Sequence, residues 1–340
     1  MPQGTELGWG AFVEKTPCAI LRGLATSSRR HTFRRQEVYV SIRAVKRMIE
    51  ASPTIEGAGV KLHRGFGFGE TTDFDPFLLF DDFRNDRPAD YLKGFPWHPH
   101  RGIETITYVL AGTVEHGDSL GNQGLLGAGD IQWMTAGSGI IHQEMPKGDA
   151  QGHMHGFQLW ANLPSSLKMT APRYQDVTAR DIPSIVDDDG THVRVVCGEF
   201  WGRRGPVDGV AAEPQYLDVL VPPNRRKTLP VEVTRHAFAY VFAGSGTFRD
   251  ASVPRPVKTD HTGDVDNAVY NDARDRSLVV FDRGDEVTVR AGDEGLRFLL
   301  VSGKPLEEPV AWYGPIVMNT EAELRQAFAE VRNGTFIKHR

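Results

Sequence analysis

Cysteine is nearly absent from this chain. Only Cys18 and Cys197 occur in 340 residues, and they stand far apart. They build neither a disulfide framework nor a thiolate zinc site, so a reducing compartment, the cytoplasm, is expected. No apolar run approaches the roughly 18 residues of a membrane helix. The first residues also lack the apolar core of a secretory signal. Positive charge is not in excess either. The formal net charge is −5, so the chain as a whole offers nucleic acid no electrostatic footprint. His-Glu-x-x-His is missing. The glycines at Gly65–Gly69 and Gly137–Gly139 open no helix at phosphate-loop spacing, which argues against nucleotide binding.

What is present fits two domains of ordinary composition, 40% hydrophobic and 24% charged. The charge is uneven: residues 1–50 hold nine Lys/Arg against four Asp/Glu. This stretch reads as a leader over residues 1–54. Its arginines resemble an organelle transit segment, but Glu6 and Glu14 argue against targeting. Arg43–Ser52 reads as a short helix with a basic face. Strands follow from there. Val60–Phe68, Phe77–Phe83, Thr105–Leu110, Ile131–Met134 and His155–Leu163 are short apolar or alternating runs punctuated by Gly, Asp and Asn. That pattern predicts an all-β barrel or sandwich.

A second β-rich set contains Tyr216–Val221, Ala237–Phe242, Leu278–Asp282, Glu286–Arg290 and Leu296–Val301. Ala239-Tyr-Val-Phe-Ala-Gly244 echoes Thr107-Tyr-Val-Leu-Ala-Gly112, as expected of a duplicated domain. The expected boundaries are 55–175 and 176–312, with a tail and helix over 313–340. Lys258–Asp275 reads as a long surface loop. Thr320 and Glu323 form a capping-box pattern, and Asn333–Gly334 ends the helix.

The chemistry sits in two short segments. In Trp97-His98-Pro-His100, residues two apart in a strand point one way, so both imidazoles can aim at one spot. His142-Gln-Glu144 repeats the device with a carboxylate. Three imidazoles and one carboxylate, without sulfur, suit a redox-capable metal that keeps open positions. The pattern by itself is cheap, because His153 and His155 share it. Those two read as structural, His116 as a solvated or loop-bonding residue, and Trp97, Trp133 and Trp160 mainly as core packing.

His98-Pro-His-Arg-Gly-Ile-Glu-Thr105 and Ile140-Ile-His-Gln-Glu-Met-Pro146 resemble the two cupin motifs in the form found in the pirin family. So do Gly129-Asp-Ile-Gln-Trp-Met-Thr-Ala-Gly137, Gly156-Phe-Gln-Leu-Trp-Ala-Asn-Leu163 and Gly314-Pro-Ile-Val-Met-Asn-Thr320. The resemblance spans roughly residues 58–330. It implies two tandem jelly-roll-like cupin barrels with a C-terminal helix. It also implies a single metal in the first barrel, held by His98, His100, His142 and Glu144. Iron(II) is the expected ion, with manganese, cobalt, nickel, copper and zinc as alternatives. Glu104 matches the acid that other cupins use as a ligand; in the pirin pattern it stands back from the metal.

The resemblance implies two functions. The preferred one is a dioxygenase similar to quercetin 2,3-dioxygenase, acting on an aromatic small molecule and dioxygen, with Glu144 as its base. The alternative is an iron-dependent, redox-sensing regulator that binds a protein partner, in the nucleus if the organism has one. A deep aromatic pocket favours the enzyme. A charged face near the metal, to which Arg101 could contribute, favours the regulator.

Overall fold

The computed structural model describes residues 40–255, 257–259 and 272–339. The leader up to residue 39 and most of the loop expected at 258–275 therefore lie outside the described residues. The regular structure of the rest is almost entirely strand, as expected.

Twelve strands lead through the first half: β1 (Val45–Glu50), β2 (Ser52–Glu56), β3 (Val60–Phe66), β4 (Phe77–Asp82), β5 (Phe95–His100), β6 (Ile103–Ala111), β7 (Thr113–Asp118), β8 (Gln123–Leu126), β9 (Ile131–Thr135), β10 (Ile140–Lys147), β11 (His155–Asn162) and β12 (Arg173–Val177). Seven form one sheet in the order β12-β9-β6-β11-β4-β3-β2. Four form another, β5-β10-β7-β8. Apolar residues fill the space between and behind them because alternate residues of each strand face inward. Ile106, Tyr108, Ile131, Trp133, Phe157 and Leu159 are almost completely buried.

The second half is a ten-stranded sheet centred on two long strands, His236–Phe248 and Glu286–Gly303. The two strands expected at 286–290 and 296–301 are thus one. Its sheet is open rather than closed into a barrel. Its inner residues join those of the first half in one core: Phe238 packs edge-on against Phe66, Phe74, Phe77 and Phe80 at 5.3–6.0 Å between ring centres.

The helix expected over Arg43–Ser52 does not form. That segment is β1, and it lies in the second half's sheet, paired antiparallel with Ser277–Phe281. The basic residue Arg43 is buried, not displayed. Its guanidinium donates to the carbonyls of Gly284, Asp282, Glu232 and Arg235 at 2.8–3.1 Å. Those acceptors come from about 190–240 positions away, so nothing local in the sequence reveals them.

The C-terminal segment returns to the first half. A hairpin, Ala311–Tyr313 with Ile316–Met318, precedes the helix Glu321–Arg332. The capping box is present as expected: Glu323 N–H donates to Thr320 Oγ1 at 3.2 Å, and Thr320 N–H donates to Glu323 Oε2 at 2.9 Å. Val317 N–H donates to Arg101 O at 3.0 Å. Lys168, fully buried, places Nζ between the carbonyls of Gly102 and Val317 and Asn162 Oδ1, at 2.7–3.0 Å.

Candidate metal centre

Strands β5 and β10 lie antiparallel, with His98 opposite His142 and His100 opposite Ile140. The two-residue period puts His98 and His100 on the same side of β5. The register then delivers His142 to them from β10. The result is three imidazoles whose nitrogens lie within 4.8 Å of one another, the one such cluster of potential metal ligands among the described residues. His98 Nε2 stands 3.0 Å from both His100 Nε2 and His142 Nε2.

That spacing is informative because of where the ring protons sit. His98 Nδ1 meets Pro96 O at 2.9 Å, and His100 Nδ1 meets Pro315 O at 3.2 Å. A carbonyl only accepts, so each Nδ1 carries the hydrogen and each Nε2 is left with a lone pair. Two lone pairs at 3.0 Å repel unless a cation lies between them. Burial, and then the neighbouring rings, push the pKa of His100 and of His142 well below the ordinary imidazole value, so both are neutral near pH 7. Adjacent nitrogens on an octahedral ion with bonds of about 2.1 Å are about 3.0 Å apart, against about 3.4 Å on a tetrahedral one. Two of the separations in this structure equal the octahedral edge. The donor set and its geometry therefore fit a divalent transition metal.

Glu144 is buried beside the cluster, with Oε2 3.9 Å from His142 Nε2. Its other oxygen accepts from Thr107 Oγ1 at 3.1 Å. Burial raises its pKa above the usual carboxylate value. Glu104 is elsewhere: it accepts from Thr135 Oγ1 at 2.7 Å and faces Arg173 and Ala211. It stands back from the imidazoles. His116 is not solvated, as expected from its turn-rich surroundings, but buried. It lies in β7 opposite Glu144, with Nε2 3.0 Å from Gln132 Nε2. Gly117-Asp-Ser-Leu-Gly121 has the spacing of a nucleophile elbow, yet it turns between β7 and β8 with no helix following, so it is not one.

A cavity of about 800 Å³ opens onto the cluster. His98, His100 and Glu144 line one part; Phe68, Phe83, Phe95, Trp160, Trp312 and Tyr313 supply aromatic surface. Along one wall runs a polar rung across four strands, Arg64–Asp81–Gln158–Thr107 in register. Arg64 grips Asp81 with two bonds of 2.8 Å and Glu56 with one of 2.9 Å. Burial, partly opposed by Arg64, lifts Asp81 to a pKa of about 6.

Several of these features were invisible in the sequence. Trp312, Tyr313 and Pro315 come from the far end of the chain. Of the tryptophans, Trp133 is core as expected, Trp160 lines the cavity, and Trp97 is 55% exposed. Arg101 offers no partner face. It is 2% exposed, donating to Ser138 O at 2.7 Å and Phe336 O at 2.9 Å, and pairing with Glu330 at 2.8 Å.

An all-β chain of two cupin domains with a three-histidine cluster in the first defines the class: a bicupin whose first domain holds a set of side chains that could bind a metal. Residues 59–161 match the family model for pirin, and residues 216–337 that for the pirin C-terminal cupin domain. The chain belongs to the pirin family. It is 44% identical to a pirin-like protein of Caulobacter vibrioides over 87% of this chain and 99% of that protein. It is 38% identical to human pirin over 82% of this chain and 88% of that one. Among solved structures it resembles a quercetin 2,3-dioxygenase from Acinetobacter baumannii, with a TM-score of 0.75 and 30% identity over 87% of this chain and 99% of that one. Among the described residues no helix is long and apolar enough to cross a membrane.

Proposed function

We propose that this chain is an iron-dependent dioxygenase that acts on flavonol-type aromatic substrates such as quercetin. The observation that carries the reading is the 800 Å³ aromatic-walled cavity ending at His98, His100 and Glu144. A chamber of that size is ample for a three-ring molecule. The charged face expected of a regulator has also lost Arg101 to the interior. The resemblance to the Acinetobacter enzyme supports the same reading.

His98, His100, His142 and Glu144 would hold the ion. When bound, it would supply Lewis acidity and a path for electrons between substrate and dioxygen. The chain's own groups do the rest. Phe95, Trp160 and Trp312 hold flat rings and exclude water. The Pro96 and Pro315 carbonyls keep His98 and His100 in the tautomer whose Nε2 points inward. Glu144, which lines the cavity beside the imidazoles, takes the proton of a substrate hydroxyl. Thr107 donates to that carboxylate and keeps it aimed into the cavity.

Oxygen uptake by iron(II)-reconstituted protein given quercetin tests the reading. Uptake should match flavonol loss and vanish in His98→Ala. Glu144→Gln should retain iron yet turn over at least about a hundredfold more slowly, the usual weight of a general base. No uptake from protein holding a full equivalent of iron overturns the quercetinase reading. Full turnover by Glu144→Gln removes the role of Glu144.

A further inference from the structure

The aromatic cavity has one polar stripe, the rung Arg64–Asp81–Gln158–Thr107. Its members differ in how far their hydrogen-bonding capacity is spent. Arg64 and Asp81 hold each other by two bonds, and Thr107 is fully buried. Gln158 is only partly buried and lines the cavity. Its strand is paired on both sides, with Asp81 and Thr107 as its neighbours in register. One end of its amide meets Thr107 Oγ1 at 2.8 Å. The other end bonds to no described residue, and it is not among the unpaired atoms sealed off from water, so it is open to the cavity.

Counting hydrogens decides which end that is. Thr107 Oγ1 also lies 3.1 Å from Glu144 Oε1. A hydroxyl has one hydrogen and cannot donate to an amide oxygen and a carboxylate at once. Glu144 is ionised when it holds a cation, and an ionised carboxylate is the stronger acceptor, so it takes that hydrogen. Gln158 Oε1 at 2.8 Å would then be one acceptor facing another. A half-turn of the amide removes the conflict. Nε2 donates to Thr107 Oγ1, which has lone pairs to accept it, and Oε1 turns to the cavity. The cavity side of Gln158 is thus an acceptor that suits a donating hydroxyl.

We propose that Gln158 selects substrates by a second hydroxyl, distinct from the one that gives its proton to Glu144. The inference rests on the flavonol reading above and names the part of the molecule that the chain recognises. Gln158 stands one strand along from Thr107, about 4.8 Å, so the hydroxyl it accepts from sits elsewhere on the same flat molecule. A ligand that fills the cavity expels water from Oε1. A polyhydroxylated aromatic replaces the lost hydrogen bond. One without the second hydroxyl leaves a buried acceptor unpaired and is rejected.

The test titrates the iron(II)-loaded full chain under nitrogen with quercetin and with 3-hydroxyflavone, and reads affinity by calorimetry. 3-Hydroxyflavone keeps the three rings, the 3-hydroxyl and the keto oxygen but lacks every other hydroxyl. The wild-type chain should prefer quercetin at least about tenfold, the weight of one hydrogen bond left unmade in a buried site. Gln158→Met keeps the length of the side chain and removes the amide. It should weaken quercetin binding about tenfold and leave 3-hydroxyflavone as tight or tighter. If that variant fails to hold iron, Gln158→Asn, which draws the amide back by one methylene, should narrow the preference in the same way. No preference in the wild type, an undiminished preference in the variant, or an equal loss for both ligands overturns the proposal. Quercetin bound with this preference yet not oxidised in air removes the dioxygenase reading and leaves the role of Gln158 standing. Binding of neither flavonol overturns both.

Discussion

A histidine becomes a ligand, a switch or a filler according to what holds its other nitrogen. His98 and His100 give Nδ1 to carbonyls and so keep Nε2 for the cluster. His155 is the contrasting case, although it shares the His-x-His spacing. It is packed edge-on against Phe157 and Phe242, and its Nε2 stands 3.9 Å from Asp82 Oδ1. Burial outweighs that carboxylate and lowers its pKa to about 4. The folded state thus binds fewer protons at this site than the unfolded one between about pH 4 and 6.5. Stability is full above that window and is lost as pH falls through it, by about 3 kcal/mol at most for this one group. His155→Gln should flatten the acid limb of the urea midpoint against pH. The same slope in variant and wild type would show that His155 does not carry it.

At the scale of elements, the C-terminal segment shows how a remote stretch completes a site. Arg101 follows the ligand pair directly and anchors this segment through Phe336 O, Glu330 and the Phe336 ring, 4.3 Å from its guanidinium carbon. Replacing it by Met leaves the Ser138 and Phe336 carbonyls without their donor, whereas Glu330 keeps Lys338 at 2.9 Å. The expected cost is about 3 kcal/mol, from the two carbonyls left unpaired, measured by urea unfolding. Affinity for a divalent metal should fall with it, because the Pro315 carbonyl that orients His100 rides on the same segment. Unchanged affinity in a folded Arg101→Met would show that the hairpin needs no such anchor. None of this was legible in the sequence, where Arg101 reads as a surface charge beside a turn. The strands of the first half and the capping box were legible because period two and cap chemistry are local signals. So was the convergence of His98, His100 and His142, which needs only two strands of that period in register. β1 was not, since its partner strand and the four carbonyls around Arg43 come from distant parts of the chain.

At the scale of the molecule, the question is whether the two halves can come apart. Besides the aromatic contacts of Phe238, a buried polar network joins them. Tyr108 of the first half donates to Asp218 Oδ2 at 2.8 Å, and Arg297 grips Asp218 with bonds of 2.9 and 2.7 Å. Arg194 donates to Tyr108 Oη at 2.6 Å. Asp218 is 3% exposed, so removing it leaves the Arg297 guanidinium and the Tyr108 phenol facing a hole. Asp218→Ala should cost about 3 kcal/mol, below the upper end for buried pairs because Arg297 keeps about a third of its surface in water. The location of the loss matters more than its size. If the halves fold as one unit, the metal signal of the first half and the far-ultraviolet signal, to which the strands of both halves contribute, must melt at one shared midpoint. Both midpoints should then shift together in Asp218→Ala. If they separate, with metal lost at a lower denaturant concentration than the strands, the second half is an independent domain. Asp218 and Phe238 would then not couple the two halves.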